Sequence, residues 1–349
     1  MIEIDGSHGE GGGQVLRTAL SLSCLSGKPF RMHNIRKGRK RPGLMQQHLM
    51  SIRAAQVLSG ARVEGDNIGS QDIAFSPGIV RGGDFYFDIK TAGSAMLVLQ
   101  TLLPALITAG KKAAVRLRGG THVPFSPSYH YIEGVFLPCL KEIGADVRMS
   151  ITSYGFYPRG GGEIRAELLA SGELQPIRKI ERGQVTKITG YSAAGNLSPS
   201  IAERQRKAAL EKIRSDIHEL PFPGEIDILN VMTPGPGTFI HIQSEAEHSN
   251  AGFTALGKRG KRAEAVGEEA ASGFIRYYAT GAALDPYLPD QVALYLSLCG
   301  KKSMFTTSRL TGHLVTNLWV IGRFHEFSHS VEGLIGEPGV VKIGGRGFP

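Results

Sequence analysis

Apolar residues at 15, 16, 19, 20, 22 and 25 keep the three-to-four spacing of one helical face, which predicts a helix over residues 14–25. Ile2-Glu3-Ile4 predicts a short strand before it, and a loop runs from there through Gly13. Gly27 stops the helix, and residues 30–35 read as the next strand. Pro42 opens a second helix reaching about residue 59, where Gly60-Ala61-Arg62-Val63 turns into another strand. Residues 94–107 predict an apolar helix in which Gln100 is a polar exception that needs partners.

This pattern recurs. A helix, a Gly-Lys turn and a strand meet at Gly27-Lys28, at Gly110-Lys111 and at Gly300-Lys301. A second helix ends in Gly60-Ala61-Arg62-Val63 in one copy and in Gly144-Ala145-Asp146-Val147 in another. The chain therefore reads as three copies of a helix–strand–helix–strand module. Gly27 and Gly110 are 83 residues apart, but Gly110 and Gly300 are 190 apart. The surplus is about one small domain, lodged between copies two and three. The turn Gly155-Phe156-Tyr157-Pro158-Arg159-Gly160-Gly161-Gly162 is expected to close the second copy. The division that follows is a main domain of residues 1–180 and 273–349 with an insert of 181–272. The insert is expected to hold a long helix over 198–220 and strands near 226–231 and 238–243.

Composition narrows the class. Of 349 residues, 41% are hydrophobic and 20% charged, a balance that supports a sizeable core and excludes a disordered chain. The longest apolar stretch, residues 95–109, carries Gln100 and Pro104 and is too short to span a bilayer. The acidic start Met1-Ile2-Glu3-Ile4-Asp5 does not resemble a signal peptide. Three cysteines without a CxxC support neither a disulfide framework nor a zinc site and suggest a reducing cytoplasm. The formal charge of +9 suits a polyanionic partner. It is concentrated in Arg36-Lys37-Gly38-Arg39-Lys40-Arg41 and in Lys258-Arg259-Gly260-Lys261-Arg262.

Candidate chemistry gathers at the expected helix starts. Gly9-Glu10-Gly11-Gly12-Gly13-Gln14 joins a strand to a helix, where free N–H groups bind phosphate. It is neither a dinucleotide fingerprint, since Gln14 stands where a third Gly belongs, nor a P-loop, which needs Gly-Lys-Ser/Thr. A tight turn explains it equally well. Glu10 and Arg17 favour function, as a carboxylate for a metal and a guanidinium for a phosphate. The 36–41 run falls between a strand end and a helix start, where arginine forks and the helix dipole both favour phosphate over a merely solvated face. Gln47 is expected a turn and a half into that helix, pointing back at the same mouth. Asp290 reads most simply as an N-cap. His313, in Thr311-Gly312-His313-Leu314-Val315-Thr316-Asn317, opens an apolar helix and reads equally as a packing residue or as chemistry.

Taken together, Gly9–Arg17, Ile35–Arg39, Pro42-Gly43-Leu44, Gln47-His48, Ser70-Gln71, Gly93-Ser94, Leu97–Thr101, Gly155–Gly162 and His313–Asn317 resemble the RNA 3′-terminal phosphate cyclase family over essentially the full chain. The resemblance implies an α/β (α+β) fold of three repeated βαβαββ modules, as in enolpyruvyl transferases, with an inserted small α/β domain. It implies that ATP adenylates an active-site histidine, that the AMP passes to an RNA 3′-terminal phosphate, and that the vicinal 2′-OH closes a 2′,3′-cyclic end. The matching histidine is His313. By the same resemblance Gln100, Pro127, Tyr287, Leu288, Pro289, Asp290 and Gln291 hold adenosine and ribose, and Glu10 sits near Mg²⁺ or Mn²⁺. Arg17, Arg36, Arg39 and Gln47 hold the triphosphate and the RNA end. The implied partners are ATP and an RNA with a 3′-terminal phosphate, with a homodimer left open. Two alternatives remain at this level: a non-catalytic RNA-binding ribosome-assembly factor of the same family, which lacks the histidine, and an enolpyruvyl transferase, which shares only the fold class.

Overall fold

Residues 1–218, 220 and 224–345 are described by a computed structural model. The first copy runs β1 (Ile2–Asp5), α1 (Gly13–Ser26), β2 (Phe30–His33), α2 (Gln46–Ser59), β3 (Arg62–Glu64) and β4 (Ile73–Ser76), with sheet order β1-β2-β4-β3. The second runs β5 (Gly83–Asp88), α3 (Ala95–Ala109), β6 (Ala113–Gly119), a helix in three parts, β7 (Ala145–Ser153) and β8 (Gly162–Ser171), ordered β5-β6-β8-β7. The three parts are α4 (Tyr129–Tyr131), a π-helical turn (Ile132–Phe136) and α5 (Leu137–Ile143).

The third copy opens with β9 (Arg178–Lys179) and is then interrupted. The interruption is β10 (Val185–Gly195), α6 (Ser200–Asp216), β11 (Glu225–Asn230), β12 (Gly237–Ala246), β13 (Asn250–Leu256) and α7 (Ala263–Thr280). The copy resumes as α8 (Leu288–Ser297), β14 (Lys302–Thr307), α9 (Gly312–Phe324), β15 (Phe327–Glu332) and β16 (Gly339–Gly345), ordered β15-β16-β14-β9. In every copy the first strand pairs parallel with the second, the second antiparallel with the fourth, and the fourth antiparallel with the third. The fold is thus three βαβαββ modules with an α/β insert between the first strand and first helix of the third.

Several details differ from the sequence expectation. The second helix starts at Gln46 rather than at Pro42, because Gly43 is left-handed (φ 78°) and Pro42–Leu44 forms a loop. Gln47 therefore lies in the first helical turn. The Gly155–Gly162 turn joins β7 to β8 inside the second copy and does not close it. Gly27 and Gly110 end their helices in left-handed caps, but α8 ends at Leu298 in ordinary helical geometry. The expected division at 272/273 falls inside α7. That helix belongs whole to the insert's core, with Val266, Ala270, Phe274 and Tyr277 buried against Ile240, Ile242 and Phe253 of the insert's own sheet.

The main core is shared by all three modules. Helix α3 is buried nearly all round because α1, α2 and α8 pack on it. Gln100 escapes that burial and faces the cleft described next. The three cysteines are free and buried in the core. Among the described residues no helix is long and apolar enough to cross a membrane.

Candidate active site

A cleft of about 770 Å³ opens where the modules and the insert meet. Its walls include the first turns of α1, α2, α8 and α9, so several helix N-termini face one space. Their dipoles favour negative charge in that space before any side chain is counted.

Contacts between side chains order the wall. Arg39 Nη2 donates to Glu10 O at 2.7 Å, which ties the basic loop to the Gly-rich turn. Glu10 Oε2 lies 2.8 Å from His313 Nδ1. Gln14 Nε2 donates to Asp290 Oδ2 at 3.1 Å and to His313 O at 3.5 Å. Asn317 Nδ2 donates to Asp290 O at 2.7 Å and its Oδ1 accepts from Thr18 Oγ1 at 2.7 Å, fixing α9 to α1 and α8. Gln100 Nε2 then donates to Gln291 Oε1 at 2.6 Å. Gln291 Nε2 donates in turn to Tyr287 O at 2.9 Å, and the Tyr287 ring meets that of Tyr131; Pro127 and Phe125 also line the cleft. The cleft is cationic at one end and aromatic at the other.

His313 is the second residue of α9, behind the N-cap Thr311, whose hydroxyl accepts from Leu314 N at 3.2 Å. A carboxylate only accepts, so the Glu10 contact assigns the proton to Nδ1 and leaves the Nε2 lone pair free. Burial lowers the His313 pKa below its usual value, Glu10 opposes this, and Arg17 and Arg39 add to it. Close packing explains two of the glycines. A Cβ on Gly312 would collide with the Glu10 carboxylate, and one on Gly13 with the His48 ring. His48 itself is held neutral, its pKa lowered to about 3 by burial and by Arg17 and Arg36, while its Nδ1 accepts from Met45 N at 3.0 Å.

The other cations and polar groups are partly committed. Arg36 Nη1 donates to Gly43 O at 2.7 Å, which closes the basic loop. Gln47 Oε1 accepts from Ser94 N at 3.1 Å, so its amide N–H groups are what it can offer a ligand. Burial lowers the Arg17 pKa to about 10, which leaves it charged at neutral pH. Burial pushes the Asp290 carboxyl up to about 7, with Asp285 and Glu10 pushing the same way and Arg17 opposing. The second basic run lies outside the cleft wall; there Lys261 pairs with Glu269 and Arg262 with Glu264.

Of the residues singled out in the sequence, Glu10, Arg17, Arg36, Arg39, Gln47, Gln100, Pro127, Tyr287, Asp290, Gln291 and His313 line this one cleft. Leu288 and Pro289 do not, because both are buried on the inward side of α8 and Leu288 belongs to the main core. Asp290 is the third residue of α8 and not its N-cap. The N-cap is Tyr287, and the helix start is held by Asp285 two residues before it, whose Oδ1 accepts from Tyr287 N at 2.8 Å and Leu288 N at 3.0 Å. Its carboxylate also takes the Tyr131 hydroxyl at 2.9 Å and Gly252 N at 3.2 Å, joining α8 to α4 and to the insert. Burial pushes the Asp285 carboxyl up to about 6 against those hydrogen bonds. Gln14, Thr316 and Asn317 were also missed as site residues, although each stands in a segment that carried the resemblance. Asp285 precedes Pro286 three residues ahead of Leu288, a spacing that would have marked it.

Asp285→Ala strands a buried hydroxyl and three backbone N–H groups. A loss of about 3 kcal/mol in unfolding free energy is expected from denaturant titration; a loss under about 1 kcal/mol would remove Asp285 as the junction of these elements.

Comparison with known proteins agrees with the geometry. A family model described as RNA 3′-terminal phosphate cyclase matches residues 8–331. A protein of that name from Methylococcus capsulatus is 42% identical over 335 residues, covering 93% of this chain and 91% of the relative. One from Thermococcus kodakarensis is 41% identical over 342 residues and 98% of both chains. One from Sulfolobus acidocaldarius is 44% identical over 337 residues, 95% of this chain and 97% of its own. Among solved structures, the enolpyruvyl transferase NikO from Streptomyces tendae aligns at a TM-score of 0.38 and 11% identity, over 99% of this chain and 48% of that one. That score is too low to bear on the argument, whereas the sequence agreement runs through every module and the insert. On that agreement this chain belongs to the RNA 3′-terminal phosphate cyclase family.

Proposed function

We propose that the protein converts an RNA 3′-terminal phosphate to a 2′,3′-cyclic phosphodiester at the expense of ATP, through a covalent adenylate on His313. The observation that carries this reading is the His313–Glu10 pair at 2.8 Å, set in the cationic end of a cleft whose other end is aromatic.

In the first step His313 Nε2 attacks the α-phosphorus of ATP, an N–P bond forms, and the bond to pyrophosphate breaks. Glu10 holds the Nδ1 proton and offsets the positive charge that grows on the ring as the lone pair is used. In the second step an oxygen of the RNA 3′-phosphate attacks the same phosphorus and the imidazole leaves. In the third the 2′-OH attacks the 3′-phosphorus, its proton passes to solvent, and AMP departs. That last attack is intramolecular, where effective molarities reach about 10⁵–10⁸ M, so little further catalysis is needed.

Arg17, Arg36 and Arg39 suit the phosphates, and Gln47 adds its amide. Gln100, Pro127, Tyr287, Asp290 and Gln291 suit the adenosine. A divalent ion fits as well. One carboxylate with a free oxygen, Glu10 Oε1, beside substrate phosphates is the donor set Mg²⁺ commonly accepts. Bound there, Mg²⁺ or Mn²⁺ would neutralise charge on the departing pyrophosphate. The buried, unpaired thiols fit a reducing compartment, the cytoplasm.

Incubation with α-labelled ATP and Mg²⁺ or Mn²⁺ tests the reading. Label that survives denaturation and is released by acid, with cyclised ends on a 3′-phosphorylated RNA, is the expected result. An unlabelled protein that binds RNA would favour an assembly factor, although His313 is the residue such a relative lacks. Arg39→Ala is expected to lower kcat/KM for the RNA end about tenfold with little change in melting temperature. An unaltered rate at low substrate would return Arg39 to the solvated surface.

A further inference from the structure

Phe125 lines the cleft yet is 103% exposed, the most exposed large hydrophobic residue among the described residues. Its backbone sits at φ 61°, a left-handed conformation that a bulky residue adopts only at a cost. Packing does not offset that cost, because the ring covers nothing in the protein. The turn that carries it is nonetheless pinned on both sides. Thr121 N donates to Gly155 O at 2.9 Å and Tyr129 N to Thr121 O at 3.1 Å. Ser126 Oγ donates to Val123 O at 3.0 Å, and the Ser128 and Thr254 hydroxyls bond at 2.9 Å. A strained, anchored turn thus presents an aromatic ring with free faces to a cleft whose lining also holds Pro127, two residues along the same turn, and the half-exposed Tyr287.

We propose that Phe125 stacks on the adenine base of bound ATP and closes the open side of the cleft's aromatic end. The inference rests on the nucleotide reading above. With the phosphates at Arg17, Arg36 and Arg39, the base must reach toward Pro127 and Tyr287. On the same reading the RNA terminal phosphate lies with the arginines, and an RNA base stacked on Phe125 is the competing outcome that the test separates. A base presents two flat apolar faces, and an aromatic ring is the side chain that covers one without needing a hydrogen bond.

The test is equilibrium binding, without turnover, in a His313→Ala background. Phe125→Ala and Phe125→Gly should each weaken ATP binding about tenfold, and Phe125→Trp should restore it to within about twofold. The loss should vanish with ribose 5-triphosphate, which lacks the base, and with a 3′-phosphorylated oligoribonucleotide. Phe125→Gly should melt no lower than its parent, since glycine adopts the left-handed turn without strain and no packed ring is lost. ATP bound by Phe125→Ala as tightly as by its parent would overturn the proposal, and so would a loss confined to the oligoribonucleotide. If the otherwise unaltered chain takes no label from ATP but Phe125→Ala still weakens ATP binding, the cyclase reading fails and this one stands.

Discussion

His313→Ala is expected to eliminate transfer of label from ATP to the protein and to lower RNA cyclisation by at least about 10³-fold. The argument is one of geometry and chemistry together. Nδ1 is occupied by Glu10, so Nε2 is the nitrogen open to the cleft. In the proposed mechanism an adenylate on that nitrogen divides a slow phosphoryl exchange into two displacements, and alanine removes the atom on which both depend. Stability should hardly change. The side chain is 51% exposed and its partner Glu10 is 37% exposed, and half-exposed pairs of this kind contribute little to folding. Labelling with α-labelled ATP and a melting curve on the same preparation separate the two effects. A folded alanine variant that still cyclised RNA at the parent rate would remove His313 from the mechanism.

Glu10→Gln should lower the adenylation rate about 10²-fold and move its acid limb. The sign follows from the causes of the His313 shift. His313 must be neutral to attack, so the rate falls as pH drops through its pKa. Burial, Arg17 and Arg39 hold that pKa below the usual histidine value, and Glu10 raises it. The acid limb of the unaltered protein should therefore lie below about pH 6.5. Removing the Glu10 charge lowers the His313 pKa further, and the limb moves to lower pH. Removing the Arg39 charge raises it, and the limb moves up. The two substitutions thus shift one profile in opposite directions. A limb that moved up in Glu10→Gln, or stayed fixed in both, would break the assigned pairing. The lowered plateau in Glu10→Gln has a separate origin, since an uncharged amide can still accept from Nδ1 but no longer offsets the growing imidazolium.

Much of this was legible one segment at a time. The apolar spacing of residues 15–25, the Gly27 and Gly110 stops and the unequal intervals between Gly-Lys turns gave the modules and the existence of an insert. Those signals are local: a few residues decide whether a helix forms and where it stops. The boundary at 272/273 failed for the same reason. Helix α7 belongs to the insert through the partners of Phe274 and Tyr277, and a helical period does not say against which sheet it will be buried.

The candidate site divides in the same way. Residue types near helix starts marked Glu10, Arg17, Arg39 and Gln47, because phosphate chemistry needs cations and free N–H groups there, whereas His313 was singled out only by the family resemblance. The sequence by itself therefore determined the repeat, the insertion and a list of candidate groups. Tertiary structure alone decided that Glu10 meets His313, that Gln14 reaches Asp290, that Asp285 gathers Tyr131, Gly252 and the start of α8, and that Phe125 stands uncovered over the cleft. The physical reason is distance along the chain. Local propensity acts over a turn or two, whereas residues 10 and 313 come together only when the helices they precede and open, α1 and α9, pack on each other in the shared core.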